Sequence, residues 1–272
     1  MSRIGPALAV VRKEGRTALA PFLTIGYPEV AALPGLVEAL VEGGAGMLEL
    51  GVPFSDPLAD GATIQRANYI ALQQGVTTSA CLEAVRRLRA LGLEVPILLM
   101  GYYNPILTYG LEAFPADAAV AGVDGLIVVD LPPEEAGPLQ GSCRTHGLDL
   151  VYLLAPTSTP ERVALVCRQA SGFIYCVSVT GVTGARSSLP PELPAFAERV
   201  RGQTTLPLAV GFGISRREHV EAVGRVAEVA VVGSALIDVI DGSPAQEREA
   251  RVKEYVEVLA GRRGAAGGRL AG

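Results

Sequence analysis

Eight short apolar runs, each followed by a segment of helical period, recur along the chain, and this rhythm restricts the fold more than any other feature. The runs are Ala18 to Ile25, Met47 to Leu50, Pro96 to Met100, Gly125 to Val129, Leu150 to Leu154, Phe173 to Val177, Leu208 to Val210 and Val229 to Val232. Such alternation is the pattern of repeated βα units around a parallel sheet. The intervening segments carry helix grammar. Thr159 stands as a cap before Pro160, with Val163, Val166, Cys167 and Ala170 on one face, and Ser215 with Glu218 reads as a capping box. Eight units close a barrel more naturally than they extend an open doubly wound sheet, so the predicted fold is a (β/α)8 barrel over residues 1–260. One extra helix is predicted over Pro6 to Glu14, and the second connection is predicted to hold two helices split at Gly75 to Ser79. Residues 261–272 are Gly, Ala, Arg and Leu, too poor in apolar surface to order themselves, and read as a flexible tail.

Composition narrows the function. Of 272 residues 49% are apolar and 19% charged, enough for one large core. A net charge of −5 without a basic stripe predicts neither nucleic acid nor a membrane surface as partner. Met1 to Val11 carries no apolar leader, and no window approaches the roughly 18 charge-poor residues of a membrane span, so a cytoplasmic protein acting on small molecules is expected. Cys81, Cys143, Cys167 and Cys176 lack CxxC spacing and read as core or surface thiols.

In a barrel of this kind catalytic groups stand where strands end. By the two-residue period of a strand, Met47, Glu49 and Gly51 share one face and Leu48 and Leu50 the other, which turns Glu49 into the barrel mouth. Loss of hydration there raises a carboxyl pKa toward neutrality, where one group can both give and take a proton; a structural ion pair with an arginine at the rim is the competing reading. Asp56 and Asp60 follow within a dozen residues, but the Pro and Phe of the loop suit a shaped lid better than a metal cage. On the other side of the mouth, glycine-rich segments follow strands six, seven and eight: Ser178 to Ala185, Gly211 to Ser215, and Gly233 with Ser234. Their backbone amides and the helix starts behind them fit a phosphate without any lysine.

Cleavage of a carbon–carbon bond in a phosphorylated substrate calls for an electron sink, often a Schiff-base lysine or a histidine-held zinc. The two lysines, Lys13 and Lys253, and the two histidines, His146 and His219, all fall away from strand ends. The sink then belongs to the substrate, and an indole ring protonated at C3 would supply one.

The segment Met47-Leu-Glu-Leu-Gly-Val-Pro-Phe-Ser-Asp-Pro-Leu-Ala-Asp-Gly61 with Thr63-Ile-Gln-Arg-Ala resembles the signature of tryptophan synthase alpha chains. Pro21 to Pro28, Met100 to Pro105, Asp130 to Pro133, Gly181 to Gly184 and Gly211 to Ser215 carry the likeness over nearly the whole chain. The resemblance implies a lyase of tryptophan biosynthesis that splits indole-3-glycerol phosphate into indole and glyceraldehyde 3-phosphate. It implies Glu49 as acid/base, Asp60 as acceptor of the indole N1 hydrogen, and Tyr175 as an orienting group. Phe22, Ile64, Met100, Ile127 and Phe212 would line the indole slot, Thr183 would close over it, and Gly184, Gly213, Gly233 and Ser234 would bind phosphate. Pro53, Asp56, Asn104 and Pro132 would meet a pyridoxal-phosphate beta chain in an alpha2beta2 assembly, with no metal or cofactor in this chain itself. Met100, Ile127 and Val179 depart from residues common in the family. Another phosphate-binding barrel of the same pathway and a non-catalytic regulatory subunit are the alternatives.

Overall fold

The computed structural model describes residues 2–177, 190–211 and 213–263. Its strands are β1 (Ala18–Thr24), β2 (Leu48–Gly51), β3 (Ile97–Gly101), β4 (Gly125–Val128), β5 (Asp149–Leu154), β6 (Ile174–Val177), β7 (Leu208–Gly211) and β8 (Val229–Val232). All neighbours run parallel in sequence order, and β8 pairs back onto β1, so the sheet is the closed eight-stranded barrel that the repeat rhythm predicts rather than an open doubly wound sheet.

Side-chain alternation divides the apolar interior into two layers. Leu48, Leu50, Ile97, Leu99, Leu126 and Leu150 face outward and pack under the helices. Met47, Leu98, Ile127, Val151, Phe173, Ala209 and Val229 fill the barrel itself.

The helices are α1 (Ile4–Lys13), α2 (Leu33–Gly43), α3 (Ala62–Gln73), α4 (Thr78–Ala90), α5 (Tyr103–Tyr109), α6 (Ala113–Ala121), α7 (Gly137–His146), α8 (Pro160–Gln169), α9 (Leu193–Arg201), α10 (Arg217–Gly224), α11 (Ser234–Asp241) and α12 (Arg248–Ala260). The expected extra helix is α1, whose Ile4, Leu8 and Val11 join the inner layer and close the end of the barrel opposite the strand termini. The expected pair in the second connection is α3 and α4. The third connection and the segment after β8 also hold two helices each, which the sequence reading did not separate; α5 has only 7 residues, too few to display a period.

Below the barrel, the buried Asp124 gathers four donors. Its carboxylate accepts from the Arg3 backbone N–H at 2.8 Å, the Arg3 guanidinium at 3.0 Å, Arg89 at 2.6 Å and the Ile97 N–H at 2.9 Å. One carboxylate thereby ties α1, α4, β3 and β4 together.

Local capping is half as predicted. Thr159 accepts from the Arg162 N–H at 3.2 Å, as expected of the cap of α8. The Ser215–Glu218 capping box does not form: α10 starts one residue late, with Arg216 at its cap, and His219 Nδ1 accepts the Ser215 N–H at 3.3 Å. The histidine side chain does the work expected of the glutamate. His146 is exposed at the end of α7, and the four cysteines are free thiols, three of them buried. Helix α12 ends at Gly261 in the left-handed region (φ 70°), and residues 264–272 of the expected tail lie outside the described residues.

Candidate active site

The centre of the site follows from β2. Because Leu48 and Leu50 are claimed by the helix layer, Glu49 must face inward, where strand register sets it between Phe22 of β1 and Leu98 of β3. It is 0% exposed, and among the described residues neither carboxylate oxygen has a hydrogen-bond partner. Among the described residues, no arginine makes the ion pair of the competing reading. Burial alone lifts its pKa from 4.5 to about 8, so the acid is mostly protonated at physiological pH. An orphaned, protonated carboxyl in an apolar barrel costs stability, and such cost is characteristic of groups held for chemistry.

Asp60 stands in the segment between β2 and α3, half-buried at the rim. Asn68, two turns into α3, donates to its Oδ2 at 3.2 Å. Tyr102, the residue before α5, anchors the same segment by accepting the Ala59 N–H at 2.9 Å. Burial raises the Asp60 pKa to about 6, against hydrogen bonds from Tyr102 and Asn68 that favour its charge. Asp60 is therefore mostly ionised where Glu49 is mostly neutral. Two carboxyls pushed apart in this way mark separate roles for the pair.

Tyr175 of β6 is buried inside the barrel. Its phenol is pushed well above its ordinary range by burial first and then by the fields of Glu49 and Asp60, which puts the three groups within electrostatic reach of one another. Gly211 of β7 lies against that ring, and any side chain there would collide with the hydroxyl. Gly51 does the same for Phe22, whose Cζ lies 2.6 Å from where a Cβ would stand. Both glycines leave the volume that the aromatic rings fill.

Of the expected slot residues, Phe22, Ile64 and Ile127 are buried, and Met100 is half-buried beside Ile127 across β3 and β4. Gly233 caps α11, its carbonyl accepting from Leu236 at 2.9 Å and Ile237 at 3.3 Å, and Ser234 opens the helix with no acid in its first turn. Gly213 is exposed between β7 and α10. Thr183, Gly184 and Phe212 lie outside the described residues. Asp56, Asn104 and Pro132 are exposed beyond the ends of β2, β3 and β4, whereas Pro53 is buried. Exposed Leu58 and Leu107 extend that side of the mouth with apolar surface. Asn68 and Tyr102 were not singled out in the sequence, because nothing local distinguishes a tyrosine that reaches across 43 residues of chain.

Among the described residues, no three His, Cys, Asp or Glu side chains gather as a possible metal set, and no helix is long and apolar enough to cross a membrane.

Comparison with known proteins agrees with this geometry. The profile of the family described as tryptophan synthase alpha chain matches residues 8–264. A tryptophan synthase alpha chain from Roseiflexus castenholzii is 56% identical over 261 residues, covering 96% of this chain and 100% of the relative. The crystal structure of tryptophan synthase subunit alpha from Legionella pneumophila superposes with a TM-score of 0.89 at 37% identity, covering 96% of this chain and 98% of that one. A chain of the tryptophan synthase complex from Pyrococcus furiosus gives 0.83 at 38% identity, over 90% and 98% of the two chains. With barrel, buried acid and nearly full-length similarity in agreement, this chain belongs to the tryptophan synthase alpha chain family.

Proposed function

We propose that the chain cleaves indole-3-glycerol phosphate to indole and glyceraldehyde 3-phosphate, with Glu49 as the one proton carrier. The observation that carries this reading is a fully buried carboxyl, without a partner among the described residues, facing the inside of the barrel, where burial raises its pKa. In its protonated form Glu49 gives its proton to C3 of the indole ring, and the ring becomes an iminium-like indolenine. Asp60, ionised, accepts the N1 hydrogen and stabilises the positive charge at that nitrogen. Glu49, now a carboxylate, takes the proton of the glyceryl hydroxyl next to the ring. As that O–H bond breaks, the carbon–oxygen double bond of the aldehyde forms, the carbon–carbon bond to C3 breaks, and its electron pair returns to the ring. Glu49 ends protonated as it began, so no other acid or base is consumed.

Tyr175 orients Glu49 and the ring. Phe22, Ile64, Met100, Ile127 and Phe212 hold the indole, and Thr183 closes the site. Gly184, Gly213, Gly233 and Ser234 bind the phosphate, for which the start of α11 offers unpaired N–H groups. The face bearing Asp56, Asn104 and Pro132, with Pro53 buried beneath it, docks a beta chain in an alpha2beta2 complex, with pyridoxal phosphate belonging to that partner and no cofactor to this chain. The chain forms one catalytic domain over residues 1–260 and works in the cytoplasm.

The test is indole release from indole-3-glycerol phosphate by the purified chain in EDTA, alone and with a beta chain. Slow release alone and faster release with the partner are expected, and Glu49→Gln should release none. Release by that variant at the parental rate would remove Glu49 from the mechanism. Ligand binding without release, with the beta chain nevertheless activated, would make the chain a regulatory subunit instead.

A further inference from the structure

A second polar group is stranded in the mouth. Thr24, the last residue of β1, is 0% exposed, and its hydroxyl has no hydrogen-bond partner among the described residues, the same condition as Glu49. Register pairs Phe22 with Glu49 and Thr24 with Gly51. Thr24 therefore shares the inward face of β1 with Phe22, two residues, or about 6–7 Å, nearer the mouth than the Glu49 level. The residue opposite it, Gly51, adds no side chain that could bond the hydroxyl, and the volume it leaves is taken by the Phe22 ring, which has no polar atom to offer.

The barrel order fixes what passes there. Strand β1 lies between β8, whose end leads into Gly233 and Ser234, and β2, which carries Glu49 and leads to Asp60. A molecule with its phosphate at the start of α11 and its ring between the two acids must lay its three-carbon chain across the end of β1. A buried hydroxyl left without a bond is expensive, and a substrate hydroxyl is the group able to satisfy it.

Resting on the cleavage reading above, we infer that Thr24 is a positioning residue that hydrogen-bonds a hydroxyl of the substrate's glyceryl chain, holding it for Glu49. Two substitutions separate this role from simple packing. Thr24→Val keeps the shape and removes the hydroxyl; Thr24→Ser keeps the hydroxyl. Steady-state cleavage of indole-3-glycerol phosphate and thermal unfolding of the unliganded proteins are measured for each. Thr24→Val should lower kcat/KM about tenfold, mainly through KM, while its melting temperature rises, because no bond is lost in the free protein. Thr24→Ser should retain kcat/KM within about threefold. Unchanged kcat and KM in Thr24→Val would overturn the inference while leaving the cleavage reading intact. A lower melting temperature for Thr24→Val would overturn it as well, since the hydroxyl would then be bonded within the protein. Absence of cleavage by the unsubstituted chain would overturn both readings.

Discussion

Replacing Glu49 by glutamine should change how stability depends on pH, and the size of the change follows from the burial of one carboxyl. In the unfolded chain Glu49 titrates near 4.5; in the barrel it titrates at about 8. A folded-state pKa raised above the unfolded one leaves stability intact below the unfolded value. The stability is lost as pH climbs through the interval, because the unfolded state releases a proton that the folded state retains. At about 1.36 kcal/mol per unit, the interval from 4.5 to about 8 amounts to about 5 kcal/mol of stability lost by the parent. Glutamine has no proton to release, so the Gln variant lacks this loss. Burying an unpaired amide adds a constant offset, so the slope rather than the offset carries the information. Urea denaturation of both proteins across that interval measures it. The variant should gain steadily on the parent and stop gaining above about 8. Two parallel curves would mean that Glu49 ionises normally in the folded protein and that the dry, unpartnered carboxyl does not exist.

Further expectations concern activity and the base of the barrel. Cleavage requires Asp60 ionised and Glu49 protonated, so kcat/KM should fall on the acid side near about 6 and on the alkaline side near about 8; a profile flat on either side would contradict the assigned forms. Asp60→Asn should reduce kcat by about a hundredfold to a thousandfold with a smaller effect on KM, as expected when an ionic stabiliser of the transition state is removed, and an effect confined to KM would refute that role. Asp124→Ala leaves Arg89 and the Ile97 N–H without their buried acceptor and should cost roughly 3–5 kcal/mol in urea denaturation, with kcat preserved in the folded fraction. A cost comparable to an exposed ion pair would show that the clasp does not hold α1 and α4.

Much of the architecture was legible because it depends on local periodicity. Each apolar run became a strand with ends within one residue or so; β1 stops at Thr24 where the reading ran to Ile25, and β7 extends to Gly211. Glu49 was legible for the same reason: alternation with Leu48 and Leu50 leaves it one direction to face. What escaped the sequence depends on contacts between distant elements. Tyr102 reaches the loop of Asp60 from another connection, and Asp124 collects Arg3 across 121 residues, neither of which leaves a spacing to read. Tyr27 and Arg66 likewise meet on Asp241, joining the end of β1 and α3 to the end of α11. The capping box failed at Ser215 because a histidine at the right turn of the helix competes for the same backbone donor. Thr24 was passed over because a threonine in a strand is ordinary, and only the missing bond sets it apart.

The protonation of Glu49 can be observed directly by infrared difference titration of the unliganded chain against its Glu49→Gln variant. The signal of a protonated carboxyl, present in the parent and missing from the variant, should persist through neutrality and disappear with a midpoint near about 8. Disappearance near the ordinary value of 4.5 would mean a solvated or paired carboxylate, and a single neutral acid could not then carry both proton transfers.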